Sequence, residues 1–418
     1  MTEQKHLKAR IRARMARTGE RYAAARRHVV GDGERPGIDH GRPLRGGRHP
    51  ETAAVAHVLA DHGVELSEAM VLGIGGGLGA GYILWEFAAH DTTHLTLGFR
   101  RRWNYLDWVD QTLDRLGARY RVHTTSGAKG AAAALDEALA AGERAIVVPD
   151  RYLIGYWHLP PHLEAHGGHA VVAYAATGAG VRIDDRNTRP LTVSCDVLHR
   201  ARARVVSYRN KLVVIEAVTA PEKLVDLVRD GVRECAGHLG GTSASFALPA
   251  WQKWAKLLTD RRHAKGWPTV FADGRGLATA LLTVWDEVEP VGMSGGHLRD
   301  VYADFLDEAA PLLGERAAHA AEAFREAGRR WHAFAEAALP ADVPEYARLR
   351  DLVAAVAEGV ALGDDGAAGR AEAAAELWQR RAELDHKPPV APDLGVLADR
   401  LRAVHAAEAE AVEVLRTM

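Results

Sequence analysis

The sequence predicts an α+β domain with a mainly antiparallel sheet, followed by an all-α domain. The first observation behind this prediction is that short apolar runs of strand length cluster between residues 145 and 216. Strands that follow one another so closely favour antiparallel pairing, because a regular βαβ array needs a crossover helix between each pair. The second observation is a change of character after Pro221, beyond which the chain is alanine-rich and follows helical periodicity.

Residues 49–217 form the predicted α+β domain. A helix is predicted to begin after His49 and to end at Gly63, and Ser67 is a candidate cap for a short second helix. The other predicted helices cover residues 106–116 and 131–141, and the predicted strands cover residues 120–123, 145–148, 170–175, 181–184 and 212–216.

Residues 222–418 form the predicted helical domain. Trp251, Trp254 and Leu258 follow helical spacing, so we expect them in its core. No repeat of fixed length is evident, which argues against a solenoid. The predicted helices cover residues 222–237, 248–260, 275–287, 297–312, 314–337, 344–360, 366–383 and 393–416.

Composition and charge narrow the class of protein. Of the 418 residues, 47% are hydrophobic and 26% are charged, which is typical of a folded globular chain. Two cysteines, Cys195 and Cys235, are too few for a disulfide framework or a cysteine-rich metal site. No apolar run is long enough to span a bilayer, and the basic N-terminus lacks the apolar core of a signal peptide. We therefore expect a cytoplasmic protein that contacts no membrane, and we expect no cofactor.

The N-terminal segment carries a charge of its own. Residues 1–30 have a net charge of +7, so the remaining residues sum to −9 although the whole chain has a net charge of −2. We expect a basic helical arm at residues 1–30 and a Gly- and Pro-rich linker at residues 31–48. The arm is either a polyanion-binding element for nucleic acid or an acidic protein, or a solvated helix that docks its apolar stripe on the body. Its candidate polyanion-binding residues are Arg10, Arg12, Arg14 and Arg17.

A glycine run lies between Gly73 and Gly81. Residues 75–80 satisfy the loose dinucleotide fingerprint, but a helix rather than a strand is predicted before them, and no acidic residue ends a second strand about 20 residues later. The glycines more simply permit close packing or a turn beside a pocket. Gly75 and Gly77 are therefore candidate substrate-binding positions.

The start of the first predicted helix is a candidate binding site. Pro50 suits the first helical position because it lacks an N–H group, and Glu51 complements the positive end of the helix. This pattern is compatible with an ordinary helix start or with a binding or acid/base role for His49. We keep His49, Glu51 and Thr52 as candidate substrate-binding residues.

Histidines and carboxylates concentrate between residues 150 and 185. His169 precedes one predicted strand, and Asp184 and Asp185 end the next, so antiparallel pairing would bring His169 to one of these carboxylates. A histidine oriented by a carboxylate is the arrangement that a general base requires. Asp150 and Tyr152 follow another strand and could face the same cleft. The residues considered for zinc are His162, His166 and His169, but Gly167 and Gly168 interrupt their helical spacing, so no metal site is expected.

The segment from Gly292 to His297 opens a predicted helix. Free N–H groups at a helix start can bind an anion or face the cleft of a neighbouring domain. The alternative is a plain loop and helix start. His297 is the candidate substrate-binding residue of this segment.

Two blocks of the chain resemble a known family. Residues 47–215 resemble the N-terminal domain of butirosin biosynthesis protein H-like proteins, and residues 222–337 resemble the helical domain that usually follows it. The matching residues in the first block are His49, Glu51-Thr52, Leu66-Ser67-Glu68, the glycine run to Tyr82, Asp150-Arg151-Tyr152, Gly168 to Val172 and Asp185-Arg186. Those in the second block are Gly266-Trp267-Pro268, Phe271, Gly292 to Gly296, Arg299 and Tyr302 to Ala309.

The resemblance implies a fold and an activity. Members resemble papain-like and bacteriocin-processing cysteine peptidases in fold, and the namesake moves an acyl group from a carrier-protein thioester to an aminoglycoside amine. By this resemblance His169 is the base and Asp185 its orienter. Family members usually carry a cysteine directly after the histidine that matches His49, whereas this chain has Pro50.

The missing thiol leaves two functional hypotheses. Aminolysis of a thioester needs positioning and a base for the amine, so the chain could be an acyltransferase of specialised metabolism whose substrate is a small molecule or is bound to an acyl carrier protein. Alternatively it is a degenerate enzyme that binds a ligand or partner, with the basic arm on nucleic acid or an acidic protein. Neither hypothesis includes covalent thiol catalysis.

Overall fold

The computed structural model describes residues 44–87, 92–101, 105–160, 167–291, 298–386, 388–390 and 392–418. The predicted arm at residues 1–30 and most of the predicted linker lie outside these residues. Among the helices of the described ranges, none is both long and apolar enough to cross a bilayer.

The N-terminal half begins with two helices and a hairpin. Pro50 is the first residue of helix α1, and the hydroxyl of Ser67 accepts a hydrogen bond from the backbone N–H of Met70 to cap helix α2. Strands β1 and β2 pair antiparallel as a separate two-stranded sheet. These elements are α1 (Pro50–Asp61), α2 (Glu68–Ile74), β1 (Leu78–Phe87) and β2 (Thr92–Arg100).

A six-stranded sheet forms the centre of the same half. Its strand order is β3-β8-β4-β5-β6-β7, and every neighbouring pair is antiparallel. This confirms the predicted α+β class with an antiparallel sheet. The elements are α3 (Tyr105–Arg115), β3 (Arg119–His123), α4 (Ala128–Ala140), β4 (Ala145–Val147), β5 (Val171–Thr177), β6 (Gly180–Asp184), β7 (Leu191–Val193), α5 (Cys195–Arg204) and β8 (Leu212–Ala217).

The rest of the described chain is helical, as the sequence predicts. Trp251, Trp254 and Leu258 are fully buried, which confirms their predicted place in the core. The helices are α6 (Leu224–Leu239), α7 (Pro249–Thr259), α8 (Trp267–Val270), α9 (Leu277–Val288), α10 (Leu298–Leu313), α11 (Glu315–Ala338), α12 (Pro344–Ala361), α13 (Ala367–His386) and α14 (Leu394–Arg416).

The hairpin β1–β2 is not among the predicted strands, and its glycines explain why. Gly79 and Gly81 stand in β1, where glycine normally weakens a strand. At Gly79 a Cβ would overlap the backbone of Arg100 on the paired strand, so only glycine permits this close pairing. The need for glycine at residue 79 arises from the neighbouring strand, so the local sequence pattern does not reveal it.

The hairpin packs among the helices of the C-terminal half. Arg299, on α10, donates hydrogen bonds to the backbone carbonyls of Gly79 and Phe99, each at 2.8 Å, and its Nε donates to Glu408 on α14 at 2.6 Å. Arg299 and Glu408 are both fully buried. The two halves therefore share one interior, with the hairpin between them.

Candidate functional site

The start of α1 is held by a carboxylate from α2. Glu68 accepts hydrogen bonds from the backbone N–H groups of Arg48 (2.9 Å) and His49 (3.2 Å) and from the hydroxyl of Thr52 (3.0 Å). A helix start leaves such backbone donors without intrahelical partners, so Glu68 caps α1 from a distance in sequence. The Thr52 side chain is therefore part of the framework of the helix start.

His169 and Asp185 meet at the ends of two paired strands. His169 lies just before β5, and its backbone N–H donates to the carbonyl of Pro149 at 2.9 Å. Asp185 directly follows β6, and the β5–β6 register places Val172 opposite Asp184. As a result His169 Nε2 lies 2.8 Å from Asp185 Oδ2, with both side chains buried.

Two aromatic donors fix the Asp185 carboxylate. Its Oδ2 accepts hydrogen bonds from the Tyr156 hydroxyl (2.8 Å) and from Trp157 Nε1 (2.9 Å). Burial alone would raise the pKa of Asp185, but His169, Arg186 and the Tyr156 hydrogen bond outweigh burial and lower it. Asp185 therefore stays an anion, which can orient His169 and stabilise its protonated form.

Asp184 has a different partner. Its Oδ2 lies 2.8 Å from His57 Nδ1, where it ties β6 to α1 in the interior. Consecutive residues of a strand point to opposite faces, so the two adjacent aspartates reach different histidines. The sequence predicts either Asp184 or Asp185 as the partner of His169, and in the structure Asp185 is the one that contacts it.

His49 and Glu51 lie in an electrostatic cluster that includes His169. Glu51 Oε2 is 3.3 Å from His49 Nε2, and Glu51 Oε1 is 3.5 Å from an Arg100 nitrogen. Burial alone would raise the pKa of Glu51, but Arg100, His49 and His169 outweigh burial and lower it. Since α1 also packs against β5, the helix start and the His169–Asp185 pair belong to one buried site.

Asp150 and Tyr152 form a turn beside this site. Asp150 is fully buried, its Oδ1 accepts from the backbone N–H of Tyr152 at 3.0 Å, and it forms an isolated bridge with Gly168 next to His169. Tyr152 lies against Arg151, whose guanidinium stands 5.2 Å from the ring centroid. These contacts position the loop that carries Tyr156 and Trp157.

Gly75 and Gly77 lie against the protein interior. A Cβ at Gly75 would meet the Trp108 ring at 2.6 Å, and one at Gly77 would meet the Tyr302 ring at 2.6 Å. Gly77 also has a φ of +71°, a backbone conformation that favours glycine. The glycine run thus provides close packing and a turn between α2 and β1, and these contacts give no support to substrate binding at either position.

The two cysteines lie on α5 and α6, and neither stands at the start of α1. Cys235 is buried in α6, where its sulfur accepts a hydrogen bond from the Leu78 backbone N–H at 3.3 Å. Burial raises the pKa of the Cys235 thiol to about 11, so it is protonated at neutral pH. Cys195 is exposed at the start of α5, after the strand that follows Asp185. The residue at the start of α1 remains Pro50, which is buried.

Several predicted site residues lie outside the described residues. These are His162, His166, His297, Arg10, Arg12, Arg14 and Arg17. Within the described ranges, no three His, Cys, Asp or Glu side chains form a group that could hold a metal ion.

Four side chains that build this site are not among the predicted site residues. Tyr156 and Trp157 hold Asp185, Glu68 holds the start of α1, and Arg100 faces Glu51. An aromatic pair in a segment of turn composition is the sequence signal for Tyr156 and Trp157. Arg100 and Glu68 give no comparable signal, because their partners are set by tertiary packing.

Comparison with known proteins gives two matches in sequence order. Residues 49–186 match the family model described as butirosin biosynthesis protein H, N-terminal. Residues 196–362 match a domain of unknown function, DUF4872. No curated protein matches the chain.

Proposed function

Because the chain belongs to the butirosin biosynthesis protein H-like family, we propose that it is an acyltransferase-like protein of specialised metabolism that joins a thioester donor to an amine acceptor without a thiol of its own. The observation that carries the proposal is the buried contact between His169 and Asp185 beside the start of α1. The donor is a small-molecule or acyl-carrier-protein thioester.

His169 is the general base of the proposed reaction. Its Nε2 faces Asp185, which leaves Nδ1 on the other side of the ring for the acceptor amine. The amine nitrogen attacks the thioester carbonyl, a C–N bond forms, the C–S bond breaks, and the departing thiolate receives the proton that His169 took from nitrogen. Asp185 stabilises the imidazolium between these proton transfers.

Pro50 makes the proposed reaction a direct transfer. A side chain without a nucleophile cannot form an acyl-enzyme, so donor and acceptor must be bound together. Thioesters are reactive toward amines, and holding the two groups in contact supplies much of the acceleration that covalent catalysis would otherwise provide.

The test is aminolysis of acyl-N-acetylcysteamine thioesters by a panel of primary amines, with amide formation followed by mass spectrometry. We expect His169→Gln and Asp185→Asn each to slow turnover by about 10²- to 10⁴-fold, the range for loss of general-base catalysis. His199→Gln is the matched control, because His199 also lies near a carboxylate, Asp136 at 4.0 Å, but on α5. Donor binding without turnover, unchanged in the His169 variant, would overturn the catalytic proposal.

A second candidate function is non-catalytic binding through the arm. The specific observation in its favour is the charge separation between residues 1–30, at +7, and the remainder, at −9. Arginine dominates the arm, and its planar guanidinium suits phosphate or carboxylate partners. In this case the α+β domain is a degenerate enzyme, and the partner is nucleic acid or an acidic protein. Removing residues 1–30 discriminates between the two functions.

A further inference from the structure

A pocket lies between the loop that holds Asp185 and the helical half. Its empty volume, which includes space open to solvent, is about 580 Å³. The loop contributes Trp157, and helices α9, α12 and α13 contribute the opposite walls. Trp157 connects this pocket to the His169–Asp185 pair, because it donates to Asp185 and its ring lies edge-on to His169 at 6.1 Å between centroids.

The pocket walls are mainly apolar and aromatic. Trp157 and Trp378 supply two indole rings, and most of the remaining lining side chains are aliphatic. Such walls suit a hydrocarbon or aromatic body and give no partners to a ring of hydroxyl groups. The aliphatic lining residues are Leu159, Leu282, Val291, Val353, Val356 and Leu377.

Asp286 is the carboxylate of the pocket. In the described part of the chain it makes no hydrogen bond or ion pair, and its charged neighbours Arg151 and Arg381 act on it only at longer range. Burial raises the pKa of Asp286 to about 6 in spite of both arginines, so it is mainly ionised at neutral pH. A partly desolvated carboxylate without a donor is stabilised when a ligand cation reaches it.

Arg381 also lines the pocket, but its guanidinium has partners within the protein. Its Nε donates to the Thr279 hydroxyl at 2.7 Å, and the guanidinium lies 5.1 Å from the centroid of the Trp378 ring. Asp385 interacts with it electrostatically as well. The polar group of the pocket that lacks a protein partner is therefore the anion, Asp286.

We infer that this pocket binds an organic amine with an aromatic or branched aliphatic body, whose ammonium group pairs with Asp286 while the body packs against the apolar walls. The inference rests on the proposed function in one respect only: the pocket would then collect the acceptor beside the His169–Asp185 pair. Its nitrogen would leave Asp286 and release the extra ammonium proton to water before it attacks the thioester, because only the neutral amine carries a lone pair. It predicts hydrophobic amines, and not polyhydroxylated ones, as acceptors.

Direct binding to the full-length protein tests the pocket without reference to turnover. The probes are phenethylamine, 2-phenylethanol and phenylacetate, which share a body and differ in charge, and the measurement is calorimetric titration at pH 7.5. We expect phenethylamine to bind most tightly and Asp286→Asn to weaken it by about ten-fold or more, the effect of losing a charged hydrogen bond. The control is Asp342→Asn, at an exposed aspartate before α12.

A second variant and a pH series provide two independent tests of amine binding in the pocket. Val356→Phe reduces the pocket volume and should weaken all three probes, whatever their charge, with folding checked by thermal melting. Wild-type affinity for phenethylamine should fall between pH 7.5 and pH 5, because the Asp286 pKa of about 6 lies in that interval and protonation removes the anion. Tighter binding of phenylacetate, equal binding of the three probes, no binding at all, or an unchanged Asp286→Asn variant would overturn the inference.

The outcomes separate the pocket from the proposed function. Amine binding that depends on Asp286 without any aminolysis leaves the pocket intact and refutes the acyltransferase. Conversely, aminolysis whose KM for the amine is unchanged in Asp286→Asn supports the acyltransferase and refutes the pocket as its acceptor site.

Discussion

At the scale of single residues, two adjacent aspartates have different partners. Asp185 contacts His169 at 2.8 Å, and Asp184 contacts His57 at the same distance. Both pairs are buried, and the alternation of the strand separates them. The Asp185 pair also has two aromatic donors, one of which, Trp157, lines the neighbouring pocket, whereas the Asp184 pair joins a helix to the sheet.

Exchanging each carboxylate for an amide should separate these roles. We expect Asp184→Asn to lower the free energy of unfolding by about 1 to 3 kcal/mol, because it weakens a buried hydrogen bond to His57, and to leave turnover in place. Asp185→Asn should abolish most turnover. Urea denaturation and the aminolysis assay measure the two effects, and Asp342→Asn is the control for stability. Loss of turnover in Asp184→Asn without loss of stability would contradict this division.

At the scale of elements, one arginine joins the hairpin to the helices. Arg299 donates to carbonyls on both strands of the hairpin, and Glu408 holds its guanidinium from α14. Glu408 also accepts from the indole nitrogens of Trp251 and Trp331. A buried ion pair of this kind adds little net stability over an apolar pair, but removing one partner is costly because it leaves an uncompensated charge.

Arg299→Met should therefore lower the free energy of unfolding by about 3 to 5 kcal/mol. The control is Arg325→Met, which removes a surface ion pair with Asp307 and should change stability by less than about 1 kcal/mol. The double variant Arg299→Met, Glu408→Leu should recover part of the loss, since no buried charge is then unpaired. Urea denaturation measures all three, and equal effects in the two single variants would refute a special role for Arg299.

At the scale of the whole molecule, charge is divided between the ends of the chain. The basic segment at residues 1–30 precedes the part that matches the family models, which begins at residue 49. A polyanion partner of the arm would bind through counterion release, so its affinity would fall steeply with salt.

Deleting residues 1–30 tests the arm. If the arm binds nucleic acid, the deletion should weaken binding of a DNA duplex and reduce the salt slope by about one for each phosphate that the arm neutralises. A gel-shift series from low to high salt measures both quantities, and thermal melting of the shortened protein is the control for intact folding. An unchanged affinity and salt slope would exclude DNA binding by the arm.

Much of this architecture follows from the sequence. Periodicity and capping residues predict the antiparallel α+β region and the helical half. The sequence also predicts that His169 contacts a carboxylate, and it leaves two candidates for that carboxylate, Asp184 and Asp185. The hairpin β1–β2 does not follow from local patterns, because its glycines are explained only by the strand and helices that approach them. The capping role of Glu68 cannot be predicted from local sequence either, since the backbone groups that it caps lie about 20 residues away.

The class of fold, the family resemblance and the absence of a thiol at residue 50 follow from the amino-acid sequence without a structure. These depend on residue identity and on patterns that extend over a few turns of chain. Three further facts emerge from the folded chain: Asp185 and not Asp184 faces His169, Arg299 joins the two halves, and Asp286 lines an apolar pocket. Each of these depends on strand register or on packing between segments more than 15 residues apart, where local propensity carries no information.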